Sequence, residues 1–254
     1  RVLFRSGCAN CLKEENMAKV APVLLERYTV QPVIAFVTPA VEAVKSRSEE
    51  GRAYLDFPVN KTVIYPDYRR NPQELAAIKR TIDVVNENDD TEITGISIWG
   101  YASPEGGYAN NKRLAEGRAE ALKKYVMSEY GLNASKFTVN ATPEDWAGLR
   151  AYVEKSDFPL KDKVLDIIDN DQSHKDDKEH SIRALDAKMY QTLLQDCYPG
   201  LRHSDYVVNY VVRAYTDVNE IKEILKKNPQ LLSLEEMFRV AQTYEKGSEA
   251  FNEV

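Results

Sequence analysis

The sequence predicts an α+β fold, an α/β sandwich built on a mixed sheet. Three observations carry that expectation. Between residues 53 and 140, short β-prone runs alternate with two amphipathic helical stretches; a strong β run returns at 205–215; and Pro and Gly stand where the intervening turns need them. With 254 residues, 43% hydrophobic and 29% charged, the chain is one large domain or two modest ones, with enough apolar mass for a core.

The elements follow in order. Residues 1–51 read as a strand-rich lead-in, because 19–44 is rich in Val, Ile, Tyr and Thr and is punctuated by Pro22, Pro32 and Pro39, as in edge strands. Residues 47–51 read as a polar connector. The main unit spans 52–216. It opens with a strand at 53–59, followed by a helix with Asn71 as N-cap, Pro72 at the first helical position and Glu74 in the first turn. That helix runs to about Asn86 on a stripe of Leu75, Ile78, Ile82 and Val85.

A turn at 86–90 leads to an alternating strand at 92–100, a turn-rich loop at 102–110 and a long helix from Asn111 to about Tyr130, closed by Gly131. A third strand covers 136–140. Strand, helix, strand, helix, strand places the helices on one face of a sheet. A helical insert at 143–200 precedes the last strand, with helices at 144–153, 161–169 and 181–194. Residues 217–254 supply C-terminal helices at 218–227 and 233–244, the second with a capped start at 231–236.

Charge is unevenly spread. The net charge of −6 argues against a general nucleic-acid binder, and residues 141–196 alone hold 8 basic and 13 acidic side chains. The richest apolar run, 33–41, is interrupted by Thr38 and Pro39, so no membrane span is expected in this chain. Cys8, Cys11 and Cys197 are too few for a disulfide framework and leave the compartment open. The chain starts at Arg1 and stops at Val254 without a helix-ending Gly or Pro, and it reads as a piece of a longer protein.

Arg118 is the most informative anomaly. On the helix from Asn111, the residues Leu114, Ala115, Ala119, Ala121, Leu122, Tyr125 and Val126 fill an arc of about 160°, and Arg118 falls inside it, while Lys112, Arg113, Glu116, Glu120, Lys123 and Lys124 lie opposite. A guanidinium on the buried stripe needs an anion. Two readings follow. One is a structural ion pair or a cap on backbone carbonyls; the other is a pre-formed receptor for a ligand carboxylate, which suits arginine's planar fork.

The run Gly100-Tyr101-Ala102-Ser103-Pro104-Glu105-Gly106, then Asn111-Lys112-Arg113-Leu114-Ala115-Glu116-Gly117-Arg118-Ala119, resembles the peptidoglycan-associating OmpA-like domain family. The resemblance covers about residues 53–140 and the strand at 205–215. It implies a βαβαβ core and a non-catalytic module in which loop and helix clasp diaminopimelate of the cell-wall peptide. Arg118 would take the carboxylate, Asn111 would make the loop–helix contact, and Tyr101 would belong to the loop. The family's loop Asp, which takes the ammonium, is replaced by Ser103, with Glu105 two residues on. The wording Ala-Ser-Pro-Glu-Gly, with residues 56–61, 65–69 and 145–150, is similar to a Bacteroidetes-type subfamily of uncharacterised envelope proteins, some of them fimbria-associated. That likeness implies a location in the cell envelope, periplasmic or outer-membrane associated, and the helical insert.

Other constellations build no active site. Cys8 and Cys11 lack a second ligand pair for zinc, which leaves a local disulfide or plain surface cysteines. Asp169, Asp171 and Ser173 resemble half a calcium loop, but His174 and His180 stand where Gly and Glu are needed, so no metal is expected. The three histidines have no partnered nucleophile, Ser103 lies in no nucleophile elbow, and no cofactor motif occurs. Glu144 and Asp145 fit the first turn of a helix. The expectation is a cell-envelope binding module for peptidoglycan stem peptide. The alternative is an assembly scaffold, its pocket degenerate and its acidic insert docking an envelope or fimbrial protein.

Overall fold

A strand with one face on a core should alternate, and residues 204–212 do so throughout: Ser204, Tyr206, Val208, Tyr210 and Val212 are buried, while the residues between them are half-exposed. This strand is the organiser of the sheet. In the computed structural model the described residues are 2–8, 11–18, 37–58, 60–157, 160–170 and 175–254. They form two units, Arg1–Thr38 and Pro39–Val254.

In the first unit, β1 (Val2–Cys8) and β2 (Cys11–Ala18) pair antiparallel, with Cys8 opposite Cys11. The edge strands expected within 19–36 lie outside the described residues.

In the second unit, β3 (Lys45–Ala53), β4 (Thr91–Tyr101), β5 (Phe137–Thr142) and β6 (Ser204–Val212) form one mixed sheet in the order β3-β6-β4-β5. β6 runs antiparallel to both its neighbours and β5 parallel to β4. The architecture is α+β, as expected. The first strand, however, is 45–53 rather than 53–59, and the supposed connector at 47–51 lies inside it. Its sequence, Lys-Ser-Arg-Ser-Glu-Glu-Gly-Arg-Ala, carries no apolar alternation. The ladder to β6, from Lys45 opposite Val212 to Ala53 opposite Ser204, decides its state instead.

One face of the sheet is covered by α1 (Asn71–Asn86) and α2 (Tyr108–Tyr130). The expected stripe of α1, Leu75, Ile78, Ile82 and Val85, is buried. Asn71 is not its N-cap, because Arg70 holds that position and caps nothing with its side chain. Asn71 is wholly buried and acts as a staple. Its Oδ1 accepts from the Asp56 N–H (2.7 Å) and its Nδ2 donates to the carbonyls of Asp56 (3.0 Å) and Tyr65 (2.8 Å). Glu74 accepts the Tyr54 N–H at 2.9 Å. The chain from 54 to 70, which has no ladder of its own, is thus tied to the start of α1.

α2 begins three residues before the expected Asn111 and ends on Gly131 at φ +63°. It packs closely on β4: a Cβ on Gly100 would stand 2.4 Å from the Ala115 carbonyl oxygen.

The insert forms α3 (Trp146–Lys155), α4 (Lys161–Asp169), α5 (Lys175–Leu185) and α6 (Ala187–Thr192) around an apolar cluster of its own, including Leu149, Val164, Ile182 and Leu193. Asp145 is the N-cap of α3 rather than part of its first turn, accepting from the Gly148 N–H. The helix expected at 181–194 breaks at Asp186, whose carboxylate caps α6 through the Met189 N–H at 2.7 Å. Beyond β6, α7 (Val218–Lys227) and α8 (Leu234–Ala241) add Ile221 and Val240 to the main core, and α9 (Glu249–Asn252) follows. α8 opens on a capping box of Ser233 and Glu236. No helix among the described residues is long and apolar enough to cross a membrane.

Candidate functional site

The end of β4 and the start of α2 meet at a pocket of about 300 Å³. The β4 exit is pinned: the Ala102 N–H donates to the Thr142 carbonyl (3.2 Å) and the Ala102 carbonyl accepts from the Asp145 N–H (2.9 Å). Ala102 and Ser103 are therefore buried at the pocket floor. The loop then turns at Gly106, φ +84°, into the N-terminus of α2. The cap of that helix comes from the insert, since Asp176 accepts the Tyr108 N–H at 2.8 Å, where a carboxylate suits the helix dipole.

α2 contributes Asn111, Leu114 and Arg118, about one turn apart along its inward face, and the exposed Asn110 beside them. The opposite wall is the stapled segment 54–70, which presents Phe57, Asn60, Tyr68 and Arg69. Asn60 (φ +58°) and Arg69 (φ +50°) are the non-glycine residues with left-handed backbone among those described. Such conformations persist where surrounding contacts over-determine them. On either side of Arg69 the chain is held, since the Tyr68 carbonyl accepts the Asn71 N–H (3.0 Å) and Arg70 pairs with Asp56 (3.1 Å).

Arg118 has no hydrogen-bond or carboxylate partner among the described residues. Its Nε is buried and unpaired, and its guanidinium lies 5.1 Å from the centre of the Phe57 ring. Burial pushes its pKa below the ordinary arginine value, and the positive charges of Arg202 and Arg113 push the same way. The structural ion pair that was one reading of Arg118 is not formed within the described chain.

The other expected residues are distributed unevenly. Ser103, Glu105 and Asn111 line the same pocket as Arg118. Asn111 is buried and donates to the Gly106 carbonyl and Glu144 Oε1, both at 3.4 Å, which joins loop, helix and insert. Tyr101 is not in the pocket. The pleat of β4 turns it to the other side of the sheet, where it stacks on buried His203 with ring centres 4.3 Å apart. Burial draws the His203 pKa below its ordinary value, so the ring is neutral near pH 7.

Arg202 changes the chemistry, and local sequence gave no sign of it. The insert returns to β6 through a short helical turn at Tyr198–Leu201, delivering Arg202 to the pocket 99 positions after Ser103. Arg202 Nε donates to Ser103 Oγ (3.0 Å), and Nη2 donates to Glu105 Oε1 (2.6 Å). Glu105 is therefore engaged by an arginine. Tyr68 and Arg69 fall in the family-like run at 65–69, for which the resemblance implies no binding role. Asp169, from the half calcium loop, pairs with Arg150 at 2.9 Å, while Asp171, Ser173 and His174 lie outside the described residues.

The arrangement can bind an anion. Three guanidiniums, from Arg69, Arg118 and Arg202, face one carboxylate, Glu105, across polar donors and a Phe57–Leu114 apolar patch.

No protein-family model and no curated protein matches the chain. Among solved structures it is similar to the OmpA-like domain of FopA1 from Francisella tularensis subsp. tularensis SCHU S4, at 14% identity, covering 70% of this chain and 81% of that one, with a TM-score of 0.33.

Proposed function

We propose that the Pro39–Val254 unit is a non-catalytic binding module of the cell envelope that holds a peptidoglycan stem peptide by a carboxylate. One observation carries this reading: the buried, unpaired Nε of Arg118 in an open pocket beside the motif that resembles OmpA-like domains. Leaving a buried guanidinium N–H without an acceptor costs roughly 1–3 kcal/mol, and a ligand carboxylate recovers it. The Ala-Ser-Pro-Glu-Gly wording, with the runs at 56–61, 65–69 and 145–150, supports a Bacteroidetes-type subfamily and a periplasmic or outer-membrane-associated location.

A second reading is favoured by the insert, which has its own apolar core and carries the chain's acidic excess. In that reading the insert is the docking surface of an envelope or fimbrial assembly, with a degenerate pocket.

Titration calorimetry with soluble stem peptides, free and cross-linked, separates the two. Saturable binding of at least one peptide, weakened tenfold or more by Arg118→Ala, is the expected result. No binding to the unaltered protein would remove the cell-wall reading.

A further inference from the structure

We propose that the pocket is selective for a ligand carrying two carboxylates and no ammonium group. The inference rests on the reading of this pocket as the binding site and narrows what it accepts. An ammonium group needs a carboxylate whose charge is not already offset, and Glu105, the one carboxylate of this lining, is held by Arg202. In this lining Ser103 Oγ and Glu105 Oε1 both accept from Arg202, and Asn110 Oδ1 accepts from Arg113 at 2.8 Å. Arg202 thus stands at the place where a cationic group would enter, and it repels one. Arg118 and Arg69, in contrast, have no carboxylate hydrogen-bonded to them among the described residues, and Arg69 is exposed at the rim with its guanidinium near the Tyr68 ring.

Two guanidiniums without carboxylates call for two anionic groups. In the same lining Phe57 and Leu114 offer apolar surface suited to a methylene chain rather than to a compact tetrahedral ion. The excess of positive charge points the same way, because Arg202 and Arg113 both disfavour a charged Arg118 until an anion arrives. On a stem peptide, the matching group is a diaminopimelate that ends the peptide, one amine in the peptide bond and the other acylated by a cross-link, so that its two carboxylates are its charged groups.

The test uses a matched pair of probes. Pimelate and meso-diaminopimelate share one carbon chain and differ in the two ammonium groups. Isothermal titration of the full chain at neutral pH is expected to show pimelate binding at least tenfold more tightly than diaminopimelate. Inorganic phosphate should bind at least tenfold more weakly than pimelate. Arg118→Leu should weaken pimelate tenfold or more, and Arg202→Gln, which releases Glu105, should narrow the pimelate preference severalfold.

Equal or tighter binding of diaminopimelate overturns the proposal, and so does phosphate matching pimelate. If Arg118→Leu fails to fold, the shift in preference of Arg202→Gln decides. Arg118-dependent binding of a stem peptide without pimelate binding sinks this inference and leaves the proposed function standing. Pimelate binding without any stem-peptide binding does the reverse.

Discussion

Two cations on inward faces of this molecule, the buried Lys45 and the half-buried Arg118, are treated by the protein in opposite ways. Lys45, in β3, is 3% exposed and completely provided for. Its Nζ donates to both oxygens of Glu236 (3.1 Å each) and to the Leu231 carbonyl (3.0 Å), and it lies 4.0 Å from the centre of the Tyr215 ring. Glu236 in turn accepts the backbone N–H groups of Tyr215 (2.7 Å) and Ser233 (2.8 Å). One ion pair thereby joins the edge strand, the exit of β6 and the start of α8. Arg118 has none of this: its Nε is unpaired and its nearest charged influences are other arginines. A buried charge is tolerated when its desolvation is offset by pairing. Where the chain itself supplies the partner, the charge is architecture; where it does not, the partner is expected from outside.

The sharpest way to break the comparison is to remove the provision at Lys45. Glu236→Ala leaves a buried ammonium without its carboxylate, orphans two backbone N–H groups and dismantles the capping box. Breaking one side of a buried pair typically costs about 3–5 kcal/mol, and urea unfolding should show a loss of that size. A loss under about 1 kcal/mol would mean that Lys45 finds water or another acceptor.

Acid should probe the same hub more gently. Burial raises the Glu236 carboxyl, but the Ser233 and Tyr215 N–H groups and Lys45 outweigh it and hold the pKa below the ordinary 4.5. A carboxyl whose folded pKa is depressed contributes stability above its unfolded value and loses it as pH falls through the folded one. The stability of the second unit should therefore be unaffected by this group near neutrality and should fall below about pH 4.5, more steeply than in Glu236→Gln. Parallel pH profiles of the two proteins would count against the hub.

The two regions also differ in how far they could be read from sequence. Arg118 was conspicuous because it violates a helical stripe, and Ser233 to Glu236 because a capping box is a local signal. Lys45 was invisible. Its strand has no apolar alternation, and its partner lies 191 positions away, so residues 47–51 read as a connector. Arg202 was hidden for the same reason, since only the closure of the insert brings it to Ser103. Asn71 carries an N-cap's local signal but does another job, because a buried Asn that bonds a distant loop looks locally like an N-cap. Periodicity gave α1, α2, β4 and β6 to within a few residues. Long-range polar pairing, which has no period, decided the rest.

The smallest effect should be the most telling. If Arg118 is kept for a ligand rather than for the fold, Arg118→Leu replaces an unpaired buried N–H by a side chain suited to Phe57 and Leu114 of the same lining. Relief of one unsatisfied group is worth about 1 kcal/mol. In a unit of this size that corresponds to a rise in Tm of about 2–4 °C. Thermal unfolding of the ligand-free protein should therefore show Arg118→Leu as stable as the parent or slightly more so, in the same variant that loses anion binding. A residue that costs stability and carries binding is held by selection on function. A fall in Tm of several degrees would instead place Arg118 with Lys45, as a cation that the fold needs, and the contrast between the two regions would disappear.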